Sequence, residues 1–153
     1  TQFEHLLDRI KHNIDSISIT FDASTADVYA KTRIGGDWQR LLDGIELLKR
    51  MNIPFFAGFV VQQDNQHQIL EFYKLAKELG ARRTIFSSIE RFPHMSDQWY
   101  KANKISALAQ NSNTLEQIQR LFELKECDQS LELYGPLNQF NPNQIIPVLN
   151  IEK

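Results

Sequence analysis

The 153 residues are 42% hydrophobic and 24% charged, with a formal net charge of −2, which suits one globular domain of roughly 100–150 residues. The basic residues are spread along the chain, without the concentrated patch that neutralises a phosphate backbone, so nucleic acid is not expected as a partner. The apolar stretches are short and interrupted, the longest running from Ile53 to Val61, whereas a membrane-spanning helix needs about 20 apolar residues; neither a span nor a membrane partner is expected.

The start, Thr1-Gln2-Phe3-Glu4-His5, has no basic region, no apolar signal core and no initiator Met, so these residues are expected to begin inside a larger protein. The single cysteine, Cys127, can form no internal disulfide and cannot alone supply a zinc or iron–sulfur site. A reducing, cytoplasmic location fits this usage.

Phe3, Leu6, Leu7 and Ile10 recur at helical spacing and predict a short amphipathic helix. From Ile14 to Phe21 the period changes to two, with Ile17, Ile19 and Phe21 alternating with Ser16, Ser18 and Thr20, which predicts a strand. Thr25 to Thr32 reads as a short helix closed by Arg33-Ile34-Gly35-Gly36, after which Asp37 caps a second helix whose buried stripe is Trp38, Leu41, Leu42, Ile45, Leu48 and Met51. Phe55 to Gln62 is dense in aromatic and β-branched residues, as in a strand buried in a parallel sheet.

Asp64-Asn65 reads as a turn, Gln66 to Leu79 as a helix with Gly80 at its end, and Thr84 to Ile89 as a third strand. Arg91 to Asn103 reads as an ordered loop with a helical turn from Ser96, followed by a helix over Thr114 to Glu126. A short strand is expected at Leu131 to Tyr134, and the Pro-containing tail is read as irregular with a strand at Ile145 to Leu149. Strands alternating with helices through short links predict an α/β fold with a right-handed, parallel βα sheet.

Three segments carry a resemblance: Ile17-Ser18-Ile19-Thr20-Phe21-Asp22-Ala23, Tyr29-Ala30-Lys31-Thr32-Arg33-Ile34-Gly35-Gly36-Asp37 and Phe59-Val60-Val61-Gln62-Gln63-Asp64-Asn65. With Lys77-Glu78-Leu79-Gly80-Ala81 following, they resemble the middle and later barrel of radical S-adenosylmethionine enzymes, especially peptide-modifying and anaerobic-maturase members. The resemblance runs from about Ile14 to Ile89. It implies a partial TIM-type (βα) barrel, with residues 1–92 as its βα core and residues 93–153 as a helix and irregular tail completing the barrel end. It also implies S-adenosylmethionine and a 4Fe–4S cluster in the parent protein, where the reduced cluster cleaves the cofactor to a 5′-deoxyadenosyl radical.

The family holds its cluster through a Cys-x3-Cys-x2-Cys loop, and that motif does not occur in these residues. The chain is therefore expected to be the C-terminal portion of an oxidoreductase, inactive alone and binding no cofactor tightly. It would contact S-adenosylmethionine and a small-molecule or peptide substrate. The alternatives are a non-catalytic βα interaction module, which lacks the cysteines by nature, and a parallel α/β enzyme with a phosphate ligand, which would need a glycine-rich strand-to-helix loop not found here. Self-association through the open strand edge at Ile14 to Phe21, or through the tail, is expected of an isolated barrel piece.

The cofactor-binding residues implied by the resemblance are Thr20, Asp22, Arg33, Asn65 and Ser87, near the C-terminal ends of strands where βα loops converge. Thr20 aligns with a family serine that meets the ribose or amino-acid part of the cofactor, and is equally a strand threonine. Asp22 reads either as a ligand contact or as an N-cap of the following helix. Arg33 is placed to hold the methionyl carboxylate, since a guanidinium pairs bidentately with one; the other reading is a surface arginine capping its helix. Asn65 reads as a turn or cap residue or a cofactor contact, and Ser87 as a main-chain contact to adenine. His5, His12, His67 and His94 show no metal-ligand spacing, and Phe92, Trp99 and Tyr100 either line a substrate mouth or pack their loop.

Overall fold

A computed structural model describes residues 2–142 of the chain; the strand expected at Ile145 to Leu149 lies outside them. The elements run α1 (Gln2–Ile10), β1 (Ile17–Thr20), α2 (Ala26–Thr32), α3 (Trp38–Arg50), β2 (Phe55–Val61), α4 (Ile69–Glu78), β3 (Arg83–Ser88), α5 (Asp97–Asn103), α6 (Ile105–Leu108), α7 (Ser112–Cys127) and β4 (Leu131–Leu133). Short 3-10 turns occupy Lys11–Asn13, Gln66–Gln68 and Gly135–Phe140. The four strands form one sheet in the order β1-β2-β3-β4, every pair parallel. This is the α/β fold with parallel βα repeats expected from the alternation of periods.

Local chemistry accounts for most boundaries. Asp37 accepts a hydrogen bond from the Arg40 backbone N–H and caps α3. Asn52, at φ 55°, turns the chain out of α3 ahead of Pro54. Ser96 accepts from Trp99 N–H and starts α5, so the segment read as a loop with one turn is a seven-residue helix followed by α6. The strand expected from Ile14 is shorter: Ile14 N–H closes the 3-10 turn onto Lys11 O, and Asp22 at φ 55° bends the chain away beyond Phe21.

Parallel partners in register share a face. One face presents Phe55, Ala57, Phe59, Val61, Phe86, Leu131 and Leu133, all buried, against Ile45 and Leu48 of α3, Phe72 and Ala76 of α4, and Ile118 and Leu121 of α7. The opposite face carries Ser18, Thr20, Phe56, Gly58, Val60, Arg83, Ile85, Ser87 and Glu132; apart from Gly58 these are exposed or half-exposed. A parallel sheet is ordinarily covered on both faces. Here polar side chains finish the second face: Arg83 lies over the Phe56 ring at 5.2 Å and reaches Glu132 Oε1 at 2.7 Å, and the Tyr134 hydroxyl donates to Glu132 Oε2. Among the described residues, edges are left at β1 and β4, which is the geometry behind the expectation of self-association.

Asp128, just after α7, ties that helix to α4 and β4. Its carboxylate accepts from the Ser130 hydroxyl at 2.6 Å and backbone N–H at 2.9 Å, from the Tyr73 hydroxyl at 2.7 Å and from Lys77 Nζ at 3.0 Å. The Ser130 hydroxyl foremost, then Tyr73 and Lys77, hold the Asp128 carboxyl well below the usual carboxylate range, against the opposing effect of burial. Burial first, and the bond to Asp128 second, push the Tyr73 hydroxyl up to about 12. A lowered Asp128 contributes stability above its unfolded pKa near ~4 and loses it as pH falls, whereas a raised Tyr73 contributes below about pH 10 and loses it toward pH 12. Asp128→Asn is expected to cost about 1–2 kcal/mol at neutral pH, to flatten the acid limb of the stability curve, and to return the Tyr73 phenol toward ~10. Urea melts across pH and ultraviolet phenolate titration measure both; an unchanged Tyr73 titration would refute the link.

Candidate cofactor-binding site at the strand tips

Beyond Thr20 the ladder between β1 and β2 ends in a side-chain clasp. Phe21 and Asp22 both donate their N–H to Gly58 O, at 3.1 and 3.5 Å. Asp22 then turns into the left-handed region, and its carboxylate replaces the missing strand: Oδ1 accepts from Val60 N–H at 2.6 Å. Asn65 closes the other side. Its Nδ2 donates to Asp22 O at 3.0 Å and Val60 O at 2.9 Å, while its Oδ1 accepts from Gln62 N–H at 2.8 Å. Asp22 and Asn65 are 3% and 0% exposed, so these bonds form away from water, where leaving them unmade is costly.

Arg33 enters from the loop after α2. Its Nη2 lies 2.6 Å from Asp22 Oδ2, and its side chain is half-buried. Gly35 at φ 81° makes the turn that follows, a conformation that costs a residue with a Cβ. Arg33 Nε is buried and has no hydrogen-bond partner. Burial pushes the Asp22 carboxyl above its ordinary value, against the lowering effects of Val60 N–H and of Arg33. The short bonds from both donors, one of them cationic, fit a carboxylate that stays ionised in a neutral ion pair.

Thr20 and Ser87 lie on the sheet face that no described helix covers, close to this tip. Thr20 is in register with Gly58, and Val60 with Ser87. Gly58 is there because of Thr20: a Cβ at position 58 would stand 2.6 Å from Thr20 Oγ1 and 3.2 Å from Thr20 Cα. The result is a gap in the side chains beside Thr20, with Ile85 across from it on β3 and Val60 next along β2, beside Ser87.

Asp22, Arg33 and Asn65 thus form one bonded cluster, and Thr20 and Ser87 stand on the adjoining face. The N-cap reading of Asp22 is corrected: Thr25 holds the N-cap position of α2, without a side-chain cap bond, and the Asp22 carboxylate turns to Val60 and Arg33. Arg33 does occupy the C-cap position of α2, with its N–H on Tyr29 O, but its guanidinium goes to Asp22. Gln68 and Asn103 had no part in the sequence reading. Gln68 Oε1 accepts from Ser24 N–H and its Nε2 donates to Thr25 Oγ1, each at 2.9 Å; Asn103 Oδ1 accepts from Gln63 N–H at 2.8 Å. An isolated amide in a polar stretch carries no signal that it will be buried.

Among the described residues no cluster of three or more His, Cys, Asp or Glu could hold a metal ion, and Cys127 is exposed. His94 stacks on Phe92, and Arg91 sits over the Tyr100 ring. No described helix is long and apolar enough to cross a membrane.

No protein-family model matches the sequence. Over 69 residues the chain is 33% identical to the AdoMet-dependent heme synthase of Methanosarcina barkeri, a stretch that covers 44% of this chain and 20% of that enzyme. The likeness is to an enzyme that depends on S-adenosylmethionine. It supports the radical S-adenosylmethionine resemblance at the level of the superfamily, and does not extend to the peptide-modifying subtype.

Proposed function

We propose that this chain is the C-terminal portion of a radical S-adenosylmethionine iron–sulfur oxidoreductase. In this reading it contributes contacts to S-adenosylmethionine and to a small-molecule or peptide substrate, and the cysteines that bind the cluster belong to other parts of the protein. The observation that carries it is Arg33: a half-buried guanidinium, with a buried and unpartnered Nε, at the C-terminal tips of parallel strands, where ligands of α/β proteins collect.

The donor set suits the cofactor. Arg33 takes the methionyl carboxylate, the Thr20 hydroxyl meets the ribose or amino-acid part, and the backbone around Ser87 meets the adenine above the gap at Gly58. Asp22 and Asn65 complete the site by fixing the loop. Bound beside a reduced cluster, S-adenosylmethionine supplies radical chemistry for abstracting a substrate hydrogen. The cluster itself does not fit these residues, whose one cysteine is exposed at the end of α7. The sequence resemblance points toward peptide-modifying members and the relative toward heme synthesis, and radical S-adenosylmethionine chemistry is common to both.

The test is to produce the chain with its native upstream residues under anaerobic conditions, reconstitute it with iron and sulfide, and follow 5′-deoxyadenosine release. Cluster-dependent release is expected, with Arg33→Gln raising KM for S-adenosylmethionine roughly 30-fold or more. No cluster and no release would sink this reading and favour the non-catalytic module.

A further inference from the structure

We propose that Asp22 is the positioning residue of this site: it acts on the ligand only through Arg33, whose guanidinium it holds in one orientation over the tips of β1 and β2. The inference rests on the reading that Arg33 receives a carboxylate.

Asp22 is poorly placed to be a contact itself. Its two oxygens are engaged, Oδ1 by Val60 N–H and Oδ2 by Arg33 Nη2, each at 2.6 Å, and the residue is 3% exposed. Its backbone is held as well, with its N–H on Gly58 O and its carbonyl under Asn65 Nδ2. A residue anchored at four points has no freedom to turn toward a ligand.

Arg33 is the complement. It has five N–H donors, of which one nitrogen meets Asp22, and Nε is buried without a partner. An arginine side chain carries about 2 kcal/mol of rotamer entropy, and a guanidinium that is ordered before binding loses less of it when the ligand arrives. Asp22 supplies that order. Its left-handed backbone, at φ 55° and two residues past the end of β1, turns the chain where its carboxylate meets a guanidinium eleven positions along.

Asp22→Asn separates the charge from the scaffold. Asparagine matches aspartate in size, tolerates φ above zero, and keeps an oxygen for Val60 N–H, but it presents an N–H group to Arg33. In the unaltered chain, nitrogen-15 NMR should show the Arg33 guanidinium rotating about tenfold more slowly than that of exposed Arg40, and Asp22→Asn should abolish the difference. In the reconstituted protein, Asp22→Asn should weaken S-adenosylmethionine about tenfold and Arg33→Gln roughly 30-fold or more, with the double variant no weaker than Arg33→Gln alone.

Additive losses in the double variant would overturn the proposal, because Asp22 would then touch the ligand independently. A guanidinium already mobile in the unaltered chain would overturn it without any variant, even if Asp22→Asn failed to fold. Failure of the unaltered, cluster-loaded protein to bind S-adenosylmethionine would overturn the underlying reading of the site, and the guanidinium measurement identifies that case separately.

Discussion

Phe72→Ala is expected to lower stability by about 3–5 kcal/mol, the range for removing a fully buried aromatic side chain. Phe72 is 0% exposed, and its ring centroid lies 4.7 Å from Phe21, 4.7 Å from Phe59 and 5.7 Å from Phe86. It is therefore where α4 meets β2, β3 and the residue that follows β1. Truncation removes the tilted and edge-on ring contacts as well as the buried area, and leaves a cavity bounded by Phe21, Phe59 and Phe86, which cannot all collapse inward. A domain of this size holds about 5–15 kcal/mol in total, and each kcal/mol shifts the melting midpoint by about 2–4 °C. A fall of about 6–20 °C follows, measured by calorimetry or circular dichroism. Phe72→Leu, which leaves most of the volume filled, should fall much less. A drop of only a few degrees in Phe72→Ala would mean that this ring cluster is not the centre of the core.

That cluster was legible before any coordinates. Phe72 belongs to the helical stripe of Gln66 to Leu79, and Phe59 to the dense apolar run that becomes β2. Periodicity finds such residues because burial of a face is a property of the whole element. It also found β4, although only three residues pair there. What it overran was β1, predicted over eight residues from Ile14 to Phe21 and formed by four. The alternation continues in the sequence, but the ladder stops because Asp22 takes a backbone conformation that is stabilised by partners far along the chain. Of α5 only the turn from Ser96 is legible, because Asp97–Asn103 shows no apolar stripe, and the four residues of α6 are too few for a 3.6-residue period to stand out.

The site divides in the same way. Asp22, Arg33 and Asn65 are each pointed to by the resemblance of the segments around them, one residue at a time. Their pairing is not, since an ion pair across the whole of α2 depends on the turn at Gly35 and on the bend at Asp22 acting together. The role of Gly58 was equally hidden. It follows from the register that sets Thr20 beside it, and one slip along the strand would erase the need for glycine.

Asn65→Ala is expected to cost about 3 kcal/mol, a large effect for a residue that contributes little apolar area. The amide is fully buried and serves three backbone groups: Asp22 O, Val60 O and Gln62 N–H. Alanine leaves all three without their partner, and a buried polar group left unpaired costs roughly 1–3 kcal/mol, reduced where water or a small shift repairs the loss. Exchange of the Gln62 amide should accelerate, because its acceptor is the side chain itself, while amides in the middle of β3 should exchange as before. Asn65→Asp distinguishes lost bonds from lost volume. It keeps an oxygen for Gln62 N–H but turns a second oxygen toward the carbonyls of Asp22 and Val60, so at neutral pH it should be at least as damaging as alanine. Burial and those carbonyls would raise the new carboxyl above the ordinary value near ~4, and a group raised on folding stabilises the protein below its unfolded pKa and loses that contribution as pH rises. The deficit of Asn65→Asp should therefore shrink on acidification while that of Asn65→Ala does not. Equal behaviour of the two variants across pH would show that the amide donors of Asn65 do not hold the tips of β1 and β2 together.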